Sequence, residues 1–391
     1  MRRSYKFLLR PTVSQVRALA ACVDDHRVLC NAALEERREA WRRRSLTIRY
    51  GDQSLQLKDI RRADVQGQGR WSFSSQQATL RRLDKAVTAF FRRVRAGNRP
   101  GYPRFKGSGR FDTVEWPKDG DGCRWNSTAD TGQVRLYLQG AGHVRVHAHR
   151  KVEGRVKTIS VKRESTRWYV VLSCDDIPTA SLPATGRVVG VDMGVAAFLT
   201  TSDGESLSNP RCLAGSATRL ATAQRALARC QRRSTRRRKT RTRVASLHRK
   251  VHRQRLDHAH KSAPWLVRKH DLICYEDLRI ANMTRSAGGT VEQPGTNVAA
   301  KSGLNRSILD AGWGVFLAVL AAKAESAGRT MIAVNPANTS RTCPSCGHVA
   351  KENRVTQAEF VCVTCGHTAH ADVNAARNIL RAGLALLEAR A

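Results

Sequence analysis

The chain has 391 residues, 41% of them hydrophobic, which is long enough for two or three domains with real cores and argues against disorder throughout. Its 69 Lys and Arg stand against 32 Asp and Glu, a net charge of +37 that a compact body tolerates best beside a polyanion, so nucleic acid is the leading partner. No apolar run of about 18 residues or more, no signal-peptide core and no basic amphipathic anchor at the amino end argue for a membrane.

Met1-Arg2-Arg3-Ser4-Tyr5-Lys6-Phe7 reads as the opening of a strand. From Val13 to about Arg44 apolar residues (Val16, Leu19, Ala20, Val23, Val28, Leu29, Ala32, Ala33) recur at helical spacing, which predicts one or two helices. A polar, glycine-containing stretch runs from Gly51 to Gly69. Ser74 to Arg95 then predicts an amphipathic helix that packs by Leu80, Leu83, Val87, Phe90, Phe91 and Val94 and offers Arg81, Arg82, Lys85, Arg92, Arg93 and Arg95 outward. Gly97 to Pro103 cannot continue it. Alternation in Gln133 to Leu138, His143 to His147, Lys157 to Lys162 and Trp168 to Leu172 predicts a small antiparallel β domain. Leu182 to Gly186 serves as a linker, and Val188-Val189-Gly190-Val191 opens a new unit. Residues 211–262 hold seventeen Lys and Arg against the single acid Asp257, a net +16; apolar residues are sparse there, and helical hairpins gripping phosphate explain the run better than a merely solvated helix face.

Eleven cysteines without a secretion signal point to a reducing compartment. Seven (Cys22, Cys30, Cys123, Cys174, Cys212, Cys230, Cys274) read as small buried hydrophobes. The other four form Cys343-Pro-Ser-Cys346 and Cys362-Val-Thr-Cys365, fifteen residues apart, each pair followed by a glycine, Gly347 or Gly366. Two such knuckles present four thiolates in the tetrahedral array a structural Zn2+ requires, and they leave no open position for catalysis. Two redox dithiols are the alternative, but the βαβ setting they need is absent from the sequence.

Three carboxylates stand out. Asp192 follows an apolar strand and precedes a second one, Glu276 ends the hydrophobic run Asp271 to Tyr275, and Asp372 opens the helix Val373 to Glu388. Singly, each has a plainer explanation, as a turn residue, a strand-end surface charge and a helix N-cap respectively. Together, a strand-borne Asp, a strand-borne Glu and a helix-start Asp are what a ribonuclease-H-like sheet uses to hold two hard cations, Mg2+ or Mn2+, for phosphodiester hydrolysis.

The residues resemble the TnpB family of transposon-associated RNA-guided nucleases, relatives of the type V CRISPR effectors, nearly end to end. The likeness is carried by Tyr5-Lys6-Phe7 with Pro11-Thr12, by Leu80 to Ala86 with Phe90-Phe91-Arg92-Arg93, and by Arg99 to Lys106. It continues through Gly190-Val191-Asp192-Met193-Gly194, Tyr275-Glu276-Asp277-Leu278, Asn335-Pro336 to Ser340, and Ala371-Asp372-Val373-Asn374-Ala375-Ala376-Arg377-Asn378-Ile379-Leu380; Met193 stands where the family more often has leucine.

The resemblance implies an α+β multidomain fold. In it a wedge-type β barrel (1–12 and 110–183) carries a helical recognition insert (13–109), followed by a RuvC-like, RNase H-like α/β nuclease domain (184–338 and 370–391) with an inserted zinc ribbon (339–369). It implies Asp192, Glu276 and Asp372 as catalytic metal ligands, a guide RNA from the transposon end and double-stranded target DNA beside a short recognised motif as partners, and a monomeric ribonucleoprotein in the bacterial or archaeal cytoplasm, associated with the nucleoid. A miniature type V effector and a guide-dependent repressor that does not cut are the competing readings; the intact acids argue against the second. Nucleic-acid contacts are expected from Tyr50, Gln76, Arg81 and Arg82, with Ser75 and Gln77 nearby for reading the flank, and from Arg232, Arg233, Arg236, Arg237, Arg238 and Lys239. Of Asn374 and Asn378 only one is expected to face the metals; Arg341 is a candidate for steadying phosphate. Trp116, Trp125, Trp168 and Tyr169 are read as core before RNA contacts.

Overall fold

A computed structural model describes residues 2–126 and 132–389, which divide into two compact units, one ending at Pro178 and the other beginning at Thr179.

The first unit begins with β1 (Arg3–Arg10) and then runs through α1 (Val13–Arg44), α2 (Tyr50–Ala63) and α3 (Phe73–Arg95) before β2 (Thr113–Trp116), β3 (Cys123–Arg124), β4 (Arg135–Leu138), β5 (Gly142–His147), β6 (Arg155–Glu164) and β7 (Arg167–Asp175). Thr12 and Gln15 close a capping box that starts α1, and Ser72 accepts from the Ser75 N–H to start α3. The α1 segment is one unbroken helix of 32 residues. The polar stretch after it contains α2, a helix that the spacing of apolar residues does not announce, because only Gln53 and Leu57 of its residues are buried.

All seven strands pair antiparallel in the order β2-β6-β7-β1-β5-β4-β3. The first strand therefore sits between β7 and β5, and the three helices lie between it and its partners in sequence. Period-two alternation drives Tyr5, Phe7, Leu9, Leu136, Val144, Ile159, Val170 and Leu172 into one core. Trp116 and Trp168 are buried there as expected, Tyr169 is buried on the other face of β7 beneath Lys6, and Trp125 stacks on Phe7 with centroids 5.5 Å apart. The seven scattered cysteines are all buried thiols.

The second unit runs β8 (Val188–Asp192), β9 (Ala197–Thr201), β10 (Ser206–Ser208), α4 (Ala217–Ala228), α5 (Thr235–Lys269), β11 (Leu272–Glu276), α6 (Ile280–Met283), α7 (Val298–Ala311), α8 (Trp313–Ala327), β12 (Thr330–Val334), β13 (Glu359–Val361), β14 (Thr368–His370) and α9 (Ala371–Glu388). Its main sheet has the order β10-β9-β8-β11-β12: an antiparallel meander of the first three strands, continued by two strands parallel to β8.

One face of this sheet packs Val189, Val191 and Ile273 against Leu266 of α5 and Phe316 and Leu320 of α8, and the other packs Leu272, Cys274, Ile332 and Val334 against Ile379 of α9. The 30-residue stretch Val298–Ala327 contains an apolar window of 18 residues, but Gly312, at φ 74°, breaks the stretch into α7 and α8, and α8 is a core helix of this unit. Gly190 is required by close approach, since a Cβ there would lie 2.0 Å from the Ala376 carbonyl oxygen of α9.

Candidate metal centres

Strand parity decides where the acids point. On β8, Val189 and Val191 enter the α5/α8 core, so Gly190 and Asp192 face α9; on β11, Ile273 enters that same core, so Leu272, Cys274 and Glu276 face α9. Cys274 pairs with Gly190 and Tyr275 with Val191, and one more step of this parallel register sets Glu276 beside Asp192. Both strands end there, at the edge where α9 carries Asp372 in its first turn. Asp372 is not the N-cap: His370 is, its Nδ1 accepting from the Asp372 N–H at 3.3 Å, so the Asp372 carboxylate is left to other partners.

The three carboxylates also feel one another electrostatically. Burial, then the negative charges of Glu276 and Asp372, raise the Asp192 carboxyl to about 7. Burial also raises Glu276, against the opposing effect of a hydroxyl, since Thr339 Oγ1 donates to Glu276 Oε1 at 2.5 Å. Arg354 reaches Asp372 Oδ1 at 3.4 Å and the Gln357 carbonyl at 3.0 Å. This arginine, inside the cysteine-bearing insert, escaped the sequence reading; Arg341, considered instead, is exposed and contributes its carbonyl to Asn353.

Asn374 and Asn378 are both buried, and they do not divide as expected. Four residues apart, they share a face of α9 and both donate to the Thr342 carbonyl, at 3.1 and 2.7 Å, while Asn378 also donates to that of Thr339 at 2.9 Å. They hold the segment 339–342, which in turn holds Glu276, and the Oδ1 atoms of both asparagines are buried without a partner among the described residues.

The four cysteines are the one group of His, Cys, Asp and Glu among the described residues whose ligand atoms all lie within 4.8 Å of one another. The two knuckles repeat each other. Cys343 and Cys362 receive Gly347 and Gly366 N–H groups on their carbonyls and donate their own N–H groups to His348 and His367, and both glycines adopt positive φ, 76° and 70°. Sulfurs meet across the pair at 3.6 Å, Cys343 to Cys365 and Cys346 to Cys362. Burial opposes ionisation of Cys362, but N–H groups of Cys365 and Thr364 outweigh it and lower the thiol to about 6. Fully buried Asn353 ties the knuckles together, donating to the carbonyls of Arg341 and His348 and accepting from the Val363 N–H.

The expected nucleic-acid residues separate into two sets. Gln76 is fully buried: it accepts from Arg61 and donates to Gln68, and neighbouring Ser75 is closed off by His26, so neither reaches a ligand. Gln77 is bonded to Ser54. Tyr50 stays half-exposed, its hydroxyl accepting from exposed Arg81 at 3.0 Å, and exposed Arg82 lies over Phe111. In the hairpin of α4 and α5, Arg237 folds back to cap α4 through the carbonyls of Leu227 and Cys230, whereas Arg232, Arg233, Arg236, Arg238 and Lys239 are exposed.

Fold and centres together define a two-unit α+β protein with a buried carboxylate group at one sheet edge and a four-cysteine knuckle pair beside it. The chain belongs to the TnpB (OrfB/IS605) family. Family profiles match residues 159–287 (probable transposase), 313–379 (Cas12f1-like TNB domain) and 1–45 (helix-turn-helix domain), although in the last the structure holds a strand and one continuous helix. The chain is 36% identical over 98% of its length to the "Putative RNA-guided DNA endonuclease InsQ" of Escherichia coli (strain K12), covering 93% of that protein, and 30% identical over 98% of its length to a "Putative RNA-guided DNA endonuclease" of Streptomyces pristinaespiralis, covering 90% of it. A segment of 57 residues, 15% of this chain and 14% of the other, is 51% identical to the CRISPR-associated endodeoxyribonuclease Cas12f1 of Sulfoacidibacillus thermotolerans. Among solved structures, a Cas12f1–sgRNA–target DNA complex aligns over 97% of this chain and 99% of its own at 17% identity, with a TM-score of 0.35.

Proposed function

We propose that this RNA-guided DNA endonuclease cuts through a single RuvC-like centre formed by Asp192, Glu276 and Asp372. The observation that carries the reading is the convergence itself: strand parity and register aim two strand-end carboxylates at the first turn of α9, which brings the third. The strand order, a three-stranded meander followed by two parallel strands, supports an RNase H-like assignment of that unit.

The donor set fits hard divalent cations, since it offers only carboxylate oxygens, and a cation between them would offset the repulsion that raises Asp192. Asp192, Glu276 and Asp372 would hold two Mg2+ or Mn2+ ions, which would supply activation of water and charge stabilisation for phosphodiester hydrolysis. The chain's own residues do the rest. Thr339 orients Glu276, the Arg354 guanidinium stands beside Asp372 where phosphate charge would develop, and exposed arginines of α5 hold backbone phosphates. The four cysteines fit Zn2+: Zn–S bonds of about 2.3 Å in a tetrahedron place sulfurs about 3.8 Å apart, close to the 3.6 Å observed. That zinc is structural.

On this reading residues 1–12 and 110–183 form a wedge-type barrel, 13–109 the recognition insert, 184–338 and 370–391 the nuclease and 339–369 the ribbon. A guide RNA derived from the transposon end selects the target by base pairing while the protein reads only the flank.

Two steps test this. Sequencing RNA that copurifies with the chain should return one species ending in a variable guide, and its genomic source separates a transposon from a CRISPR array. The reconstituted ribonucleoprotein should then cut matched DNA only when Mg2+ or Mn2+ is added; tight binding of the matched target without any cutting would leave the non-cleaving repressor as the better account.

A further inference from the structure

The outward face of β1, β5, β4 and β3 carries an arrangement that the cutting centre does not use. Leu136, Leu138, Val144 and Val146 point inward, so their neighbours Arg135, Tyr137, His143 and Arg145 point outward, and Arg10 and Arg124 share that side.

Register sorts these residues into two rows. Arg10 pairs with Arg145 and Arg145 with Arg135, three arginines directly opposite one another on adjacent strands. One pleat further along, Arg124 pairs with Tyr137 and Tyr137 with His143. The two rows are therefore about 7 Å apart. Tyr137 and His143 have centroids 5.1 Å apart and planes tilted by 51°, and with Arg124, Gly120 and Gly122 they line a cavity of about 260 Å3.

Like charges opposite one another on a sheet are destabilising; none of these four strands contains Asp or Glu, and Arg10 and Arg145, directly opposite one another, make no ion pair among the described residues, nor does Arg124. A row kept at that cost fits a polyanion. An aromatic slot one phosphate step from such a row fits a single base turned out of its stack, and unpaired bases are what folded RNA offers; duplex DNA keeps its bases stacked inside.

We infer that this face is a stacking platform for an unpaired nucleotide of the guide RNA, its base against Tyr137 and His143 and its flanking phosphates on Arg10, Arg124 and Arg145. The inference rests on the guide-RNA reading above.

The test begins with the whole chain purified with its cellular RNA. Ultraviolet cross-linking and peptide mass mapping should place a nucleotide remnant on Tyr137 or His143; remnants only elsewhere would overturn the platform. In rebinding of that same RNA, Tyr137→Ala should weaken affinity about tenfold while Tyr137→Trp keeps it. Arg145→Ala should move two readouts in opposite directions, weakening RNA binding yet raising the melting temperature of the RNA-free protein by relieving its row. A Tyr137→Ala protein that melts and binds like the parent, or a single-stranded DNA of the same sequence that competes as well as the RNA, would count against it. A parent chain that retains no RNA at all would instead sink guided cutting itself.

Discussion

The carboxy-terminal unit holds two clusters suited to metal, and they are built in opposite ways. The four thiols are drawn together by short local turns, with backbone N–H groups already aimed at sulfur and their contacts at 3.6 Å. The three carboxylates arrive on three separate elements and repel one another strongly enough to raise Asp192 to about 7, after burial has made the larger contribution. A thiol can sit against another as a neutral S–H, whereas crowded carboxylates need a cation or a retained proton to offset their repulsion. The first cluster is thus prepared by the chain, and the second is left with a repulsion that raises Asp192.

The sharpest way to break this contrast is Asp192→Ala. Cutting should fall about a thousandfold or more, since several kcal/mol of charge stabilisation are lost, while a gel-shift assay should find target binding within about twofold of the parent. Substantial residual cutting would remove Asp192 from the centre. Cys362→Ser comes next: the protein should lose bound zinc by elemental analysis and lose about a hundredfold in cutting, because the loosened knuckle releases the 339–342 segment that holds Glu276. Full zinc content in that variant would contradict the four-thiolate assignment. Thr339→Val keeps the shape and deletes only the hydroxyl; the Mg2+ concentration for half-maximal cutting should rise about tenfold and return in Thr339→Ser.

The smallest effect concerns pH in the absence of divalent ions. The folded-state pKa of Asp192 lies above its unfolded value of about 4, so the native state keeps a proton that the unfolded chain has shed, and stability falls as pH rises from about 4 towards 7. Asp192→Asn should flatten that fall and raise the melting temperature at neutral pH by a few degrees, about what such a change means for a domain of this size. A steeper fall in the variant would reverse the sign and refute the assignment of the burden to Asp192.

Much of this centre could be read before folding, for a physical reason. Each acid is delivered by a local signal, an apolar run that becomes a strand or a helix start, and the cysteine spacing is itself local. What escaped is held by contacts distant in sequence. Gln76 looks like an exposed polar residue near a helix start until Arg61 and Gln68 satisfy it in the interior. Arg237 stands in a run of like residues, and only the turn before α5 sends it back onto α4. Arg354 is one charge among several in a polar insert, and nothing within ten residues marks its approach to Asp372. Helix α2 lacked a signal because so little of it is buried.

The placement of the knuckle pair between β12 and α9 also imposes an order on synthesis. A ribosome makes Asp192 first and Glu276 second, and Asp372 emerges only after both knuckles, on the helix that also covers Cys274 and Ile332. A message broken anywhere before that helix therefore yields a polypeptide whose sheet lacks its cover, with Cys274 and Ile332 left bare and the product disposed to degradation.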